Sequence, residues 1–453
     1  MSRIRINEIF EICGASIHNI DKKAAVGRKF NISIDSRTVK EGDVYWAIPG
    51  ERFDGHDFIK DALAKKPAFC VVQENRLKKR GKPAYPCVSV PDSITGLQEL
   101  GRIHRKLYDI PVLALTGSNG KTTTKEMTAH ILGIRMNVHK TSGNFNNHIG
   151  CPLTLLELNA AHQAAVIELG TNHPGEIGVL TRTVLPNHAL ITNAGGAHLE
   201  FFKTNEAIAD EKRDLFMEME DGGTVYLNLD DPLLADYNDP GKKIITYSLS
   251  GSADVQGKAK GCTADDCGIF ELNGSATIQL QTAGQHNIKN ALAASAAAIN
   301  LGFSLQEIKD ALESFSAADK RMQILNLNGV KIINDSYNAN PLSMQAAFET
   351  IKNIGSRKNL YIVLGDMFEL GSLSADAHLN VLKSALELGP ENIFVMGGSM
   401  ETAMKEFNSG KIVHFSGHKE LADELKENLN SGDLVLIKGS RGMTMEKVIE
   451  FLK

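Results

Sequence analysis

One stretch, residues 112–127, limits what this chain can fold into more than any other: VLALTGSNGKTTTKEM. An apolar run of strand length enters two glycines, and a lysine with three threonines follows where a helix would begin. Strand, glycine turn and helix start, in that order, specify an α/β unit with an open loop between its elements. Glycine lets the backbone take positive φ and approach a ligand closely. The N–H groups that open a helix lack intrahelical acceptors and carry the positive end of its dipole, which suits phosphate. Lys121 then supplies a mobile positive charge for β- and γ-phosphates, and the Thr122 hydroxyl can ligate magnesium. Gly117, Ser118, Asn119, Gly120 and Thr123 complete the loop. The common G-x-x-x-x-G-K-[ST] pattern is not met, because Leu115 stands five before Gly120; the shorter spacing is a narrower signature. A turn that merely caps a helix leaves the Lys-Thr-Thr-Thr run unexplained.

At 453 residues the chain is longer than one hydrophobic core supports, so two or three domains are expected. The first hundred residues mix short strand-like runs, NISID and VYWAIPG, with the helical DFIKDALAKK, and this small α/β module ends near LYDIP. From Val112 the rhythm changes to buried-type strands, VLAL, AAVIEL and HALITN, each followed by a loop and a helix, as in a parallel sheet. SATIQLQT alternates and suits an antiparallel edge, and NALAASAAAINLG reads as a closely packed helix stopped by Gly302. A second open, doubly wound unit follows, with strands VKIIN, LYIVLG, NIFVMGG and LVLIKGS. The expected architecture is α/β throughout: an N-terminal module over 1–109, a central phosphate-loop domain over 110–318 and a Rossmann-like domain over 319–453.

Charge and composition exclude several classes. A net charge of -5 offers nucleic acid or anionic lipid no overall attraction, and the basic run RLKKRGK at residues 76–82 reads as a solvated loop. No apolar stretch reaches membrane-span length, and the N-terminus has no signal-peptide core. Six scattered cysteines suit reduced thiols in a cytoplasmic protein, although Cys262 and Cys267 could form half a metal site.

The carboxyl ends of the next two strands carry Glu168 and His198, and ligands of open sheets gather at such ends. Glu168 could complete a magnesium shell with Thr122, since magnesium takes oxygen ligands. No kinase or GTPase signature accompanies the loop.

TGSNGKTTTKEM, NFNNHIGCPLTLL, ELGTNHPGEI, NAGGAHLEFF, GQHNIKNALAA, RMQ, NDSYNANPLSM, LGDMFELG and KGSRGM occur in an order that resembles the Mur ligases, across nearly the whole chain. NDSYNANPLSM and LGDMFELG resemble the member that joins D-alanyl-D-alanine to a UDP-N-acetylmuramoyl-tripeptide, and the DNPR-type element of its predecessor is absent. The resemblance implies an ATP- and magnesium-dependent amide ligase, cytoplasmic and monomeric, that works through an acyl phosphate. By position it assigns phosphate and metal roles to Lys121, Thr122 and Glu168, and a second metal ligand to His198. Lys212 falls where the family carries a lysine carbamylated by carbon dioxide; otherwise it is a solvated helix lysine. Asn287 and Asn290 match the adenine side, with helix capping as their ordinary use. Arg321 and Asp335 match residues that reach phosphate and ribose on closure, or else pair with each other at a domain junction. Asp35, Ser36 and Arg37 match the region holding the uridine diphosphate end, and Asn144, Asn146 and Asn147 a loop near the muramoyl peptide; both could equally be turns.

Three alternatives stay open on sequence: a folylpolyglutamate-type ligase, an ATP-hydrolysing switch and a degenerate scaffold. The N-terminal module speaks against the first, and retention of Lys121, Thr122, Glu168 and His198 against the last.

Overall fold

The phosphate-loop strand, Val112–Thr116, is buried along its whole length and lies between Ala164–Glu168 and His188–Ile191, parallel to both. The computed structural model describes every residue except 1–3, 22–26, 51–52, 81–82, 196–198, 317–319 and 356, so the expectation for His198 lies outside the described residues. From Thr116 the chain runs through helix Lys121–Leu132 to an outer strand, Val138–Lys140, and returns to Ala164–Glu168 before crossing to His188–Ile191. The order therefore reverses at the phosphate-loop strand, and the crevice at its carboxyl end is where an open sheet binds ligand.

The central sheet has nine strands. Thr224–Asn228, Lys243–Ser248 and Val255–Cys262 extend it in parallel, and Cys267–Leu272 with Ala276–Ala283 close that edge antiparallel, as the alternation of SATIQLQT predicts. Apolar clusters cover both faces, which explains why its strands read as unbroken apolar runs. On one face the alanine-rich helix His286–Asn300 shares a core with Met127 and Ile131 of the phosphate-loop helix. Its small side chains allow that close approach, and Gly302 follows it at φ +81.

The N-terminal sheet orders Ser16–His18, Cys87–Val90, Phe69–Gln73, Val44–Trp46 and Ile32–Ser33, the last four mutually parallel. Here the basic run departs from expectation: Glu74–Arg80 is a helix, not a loop. Glu74 opens its first turn, where the dipole favours an acid, its unbranched residues are good helix formers, and Leu77 packs against the sheet.

In the third sheet Gln323–Leu327 and Val330–Asp335 form a hairpin. The chain's last strand, Leu434–Lys438, inserts between Val330–Asp335 and Leu360–Gly365, with Asn392–Met396 and Ile412–Phe415 beyond. Asp335 and Lys438 thus end neighbouring parallel strands and face the central crevice. All six cysteines are free thiols. No helix among the described residues is long and apolar enough to cross a membrane.

Candidate active site

The loop is built around positive-φ glycines in tight places. A Cβ on Gly117 would lie 1.9 Å from Thr192 Oγ1, and one on Gly120 2.2 Å from Asn290 Oδ1, so both positions exclude a side chain on space as well as on φ. Asn193, at the end of the neighbouring strand, threads the loop: its carbonyl accepts from Ser118 N–H, its Oδ1 from Asn119 N–H, and its Nδ2 donates to the Asn119 carbonyl at 2.9 Å. Lys121 folds back and donates to the carbonyls of Gly117 (2.6 Å) and Ser118 (3.3 Å). Desolvation lowers the Lys121 pKa, and the carboxylate of Glu168 opposes this.

One residue further on, the Thr122 hydroxyl donates to Glu168 Oε2 at 2.9 Å, and Asn146 Nδ2 donates to Oε1 at 2.9 Å. Glu168 is only 2% exposed, so its charge needs compensation. That comes from Lys125, whose ammonium lies 3.7 Å from Oε2, 3.1 Å from Glu126 Oε1 and 2.8 Å from the Thr141 carbonyl. Sequence reading did not find Lys125; three residues past Thr122 on a helix it looks like a surface lysine.

The third sheet reaches across to the same oxygen. Arg321 Nη2 donates to Thr122 Oγ1 at 2.9 Å while its guanidinium stacks on Tyr337 at 3.9 Å. Asn340 Nδ2 donates to Asn119 Oδ1 at 3.2 Å. Arg321 and Asp335 do not pair with each other. Asp335 takes the buried ammonium of Lys438 instead, together with the Met322 N–H at 3.1 Å. Asn287 and Asn290 are linked at 2.9 Å, and Asn290 also accepts from Thr124 at 3.3 Å.

These groups enclose a cleft of about 910 Å³ between central and third sheets, lined by Ser118 to Thr123, Asn144, Asn146, Asn147, Glu168, Asn287, Asn290, Arg321 and Asp335. Asn147 also accepts from the N–H of Gly150, the first residue of the helix that follows, at 2.8 Å. Asp35, Ser36 and Arg37 lie outside this cleft, beside the N-terminal sheet. Arg37 pairs with Asp35 at 2.8 Å and holds its pKa down at about 2.

Lys212, on helix Asn205–Met217, is 2% exposed. It makes no hydrogen bond or ion pair among the described residues, and burial aided by the charge of Lys121 brings its pKa down to about 7. Its neighbour Glu211 is spent elsewhere: it accepts from Thr171 Oγ1, Gly175 N–H and Ile177 N–H, which anchors the loop after the Glu168 strand. The charged run DEKRD thus hides two inward side chains.

A crevice at the switch point, a lysine over a glycine loop, and a threonine–glutamate pair within reach of a second α/β unit define an ATP-dependent enzyme of two cooperating sheets. The Mur ligase family's catalytic domain is matched over residues 30–92, the Mur ligase middle domain over 115–298 and the Mur ligase glutamate ligase domain over 320–441. The chain is 34% identical over 432 residues to the UDP-N-acetylmuramoyl-tripeptide–D-alanyl-D-alanine ligase of Bacillus subtilis, covering 93% of this chain and 92% of that one. It is similar to the crystal structure of MurF from Acinetobacter baumannii, with a TM-score of 0.88, 30% identity and coverage of 100% and 99% of the two chains. The MurF ligase of Thermotoga maritima, solved in complex with ADP, gives a TM-score of 0.83 at 28% identity, covering 93% and 97%. The chain belongs to the Mur ligase family and is an ATP-dependent ligase.

Proposed function

We propose that this chain joins the amine of D-alanyl-D-alanine to the free carboxylate of a UDP-N-acetylmuramoyl-tripeptide, converting ATP to ADP and phosphate, as the final cytoplasmic step of peptidoglycan precursor synthesis. The observation that carries the reading is the chain of contacts Arg321–Thr122–Glu168, which ties the phosphate loop to the third sheet. It stands beside nearly full-length similarity to ligases of that name.

A carboxylate is a poor acyl donor. Its oxygen attacks the γ-phosphorus, ADP departs and an acyl phosphate forms; the neutral amine then attacks the acyl carbon, the bond to phosphate oxygen breaks, and nitrogen loses a proton. Two anions must meet in the first step. Lys121 and Arg321 are the cations placed to offset that repulsion. A cleft holding both substrates supplies proximity in the second.

Thr122 and Glu168 are hard oxygen donors in a polar crevice and fit magnesium, which takes few protein ligands beside phosphate and water. Bound there it would neutralise phosphate charge. Lys212 fits a carbamate: an amine whose pKa burial brings down to about 7, with no partner among the described residues, has its neutral form within easy reach. Its nitrogen would bond to the carbon of carbon dioxide and release a proton, leaving an oxygen-bearing anion for a second magnesium, with His198 as a further ligand. Asn287, Asn290 and Asp335 are assigned to the adenosine part, Asn144, Asn146 and Asn147 to the muramoyl peptide, and Asp35, Ser36 and Arg37 to the uridine diphosphate. The domains are taken as 1–109, 110–318 and 319–453, and the protein as a monomer.

ADP release tests this. With UDP-N-acetylmuramoyl-tripeptide present, D-alanyl-D-alanine should support turnover, and D-alanine, D-glutamate and a diamino acid should not. Release that needs neither carboxylate nor amine would make the chain a nucleotide switch instead.

A further inference from the structure

The loop that follows strand Ala164–Glu168 leaves the sheet beside the phosphate loop and is fixed by two carboxylates. Glu211 accepts from Thr171 Oγ1 and from the N–H groups of Gly175 and Ile177. Glu176 Oε2 accepts from the N–H groups of Asn172 at 2.7 Å and His173 at 3.1 Å. Burial pushes the Glu176 carboxyl up, but those two N–H groups and the His173 side chain outweigh it and hold its pKa below the ordinary value. Its other oxygen, Oε1, lies 3.4 Å from His173 Nδ1. The imidazole also packs against Phe201 of helix Leu199–Phe202, with ring centroids 4.5 Å apart. A carboxylate and a ring thus orient the His173 side chain, which is 57% exposed and lines the cleft with Lys121, Glu168 and Thr171.

We infer that His173 takes the proton that the attacking amine gives up when the amide forms, with Glu176 as the residue that positions it. This rests on the amide-ligase reading above, whose second step needs an acceptor for that proton. As the nitrogen lone pair closes on the acyl carbon, one N–H proton passes to His173 Nε2. The carbon–oxygen bond to phosphate breaks, its electron pair leaves with the phosphate, and the imidazolium returns the proton to water. A carboxylate at Nδ1 favours the tautomer with Nδ1–H and leaves Nε2 as the acceptor. Nε2 makes no hydrogen bond among the described residues. Imidazole is also the side chain whose ordinary range lies closest to neutral pH, where a base accepts and releases a proton most effectively. His148 and His286 line the same cleft, but among the described residues neither has a carboxylate within ion-pair distance.

Hydroxylamine separates the two chemical steps, because it attacks an acyl phosphate without help from a base. Hydroxamate formed from ATP and the UDP-N-acetylmuramoyl-tripeptide therefore reports the first step, and amide formed with D-alanyl-D-alanine reports both. His173→Gln should slow amide formation at saturating substrates by about 10²–10⁴-fold, the usual contribution of a general base, and leave hydroxamate formation at the wild-type rate. Glu176→Gln keeps an oxygen for the loop N–H groups and should lower the amide rate by a smaller factor, again with hydroxamate unchanged. A residue that only shaped the loop would lower both products together. Wild-type amide formation by His173→Gln, or an equal loss of both products, overturns the inference. A wild type that forms hydroxamate but no amide with D-alanyl-D-alanine overturns the dipeptide reading. His173→Gln is then judged on whichever of D-alanine, D-glutamate and a diamino acid the wild type accepts. A wild type that forms neither product overturns the ligase reading itself.

Discussion

Two lysines of the central unit, Lys125 and Lys212, are buried to the same degree, 1% and 2% exposed, on helices covering opposite faces of the sheet, and they meet burial in opposite ways. Lys125 has a carbonyl and two carboxylates around its ammonium. Lys212 has no hydrogen-bond or ion-pair partner among the described residues, and its pKa descends to about 7. Burial alone therefore does not decide whether a lysine keeps its charge. The partners do, and the two side chains are suited to different tasks: one holds the Glu168 carboxylate in place, the other can offer a neutral amine.

The sharpest way to break this contrast is to remove each ammonium in turn. Lys125→Met leaves Glu168 buried without its cation and should cost about 3–5 kcal/mol in chemical denaturation. Lys212→Met should fold at least as well as wild type, since it removes an ammonium that burial disfavours. If Lys125→Met unfolded no more easily than Lys212→Met, the pairing argument would fail.

Activity should invert that ranking. Lys212→Ala should lose about 10²–10³ in turnover, the size of one lost electrostatic contact at a reacting phosphate, and a short carboxylic acid in the buffer should restore part of it. Lys212→Arg should not recover. Full turnover in Lys212→Ala would return it to the status of an ordinary helix residue.

A smaller effect is expected on pH. The folded pKa of Lys212, about 7, lies below its ordinary value, so between the two the unfolded chain binds the extra proton and stability rises with pH. The penalty is full below pH 7 and gone near the unfolded value. In buffer free of carbon dioxide, the stability deficit of wild type against Lys212→Met should shrink by roughly 1.5–2 kcal/mol between pH 7 and 8.5. A flat difference would contradict the depressed pKa.

Smallest of all is the exposed extreme. Arg37, 87% exposed and paired to its near neighbour Asp35, should be removable without a change in melting temperature. Arg37→Ala should instead weaken binding of the UDP-linked substrate in calorimetry; unchanged affinity would remove this turn from the substrate site.

The phosphate loop was legible because its parts are consecutive: strand, glycines, lysine and threonine lie within residues 112–122. Glu168 was legible as the polar end of an apolar strand. Their supports were not. Asn193 threads the loop from 74 positions away, and Lys438 reaches Asp335 from 103. DEKRD reads as a solvated run, yet Glu211 and Lys212 face inward because the helix they lie on packs against the sheet.

Local order thus determined the elements themselves, since the period of apolar residues and the demands of glycine and helix start act over a few positions. The α/β class, the antiparallel edge and the nucleotide loop all follow from that. Only the tertiary structure decided which charge meets which: that Arg321 goes to Thr122 and not to Asp335, and that one buried lysine has company while the other has none among the described residues. Those pairings depend on strand order and on the approach of the third sheet to the second. An electrostatic energy is set by distances across the fold, on which spacing along the chain has no direct hold.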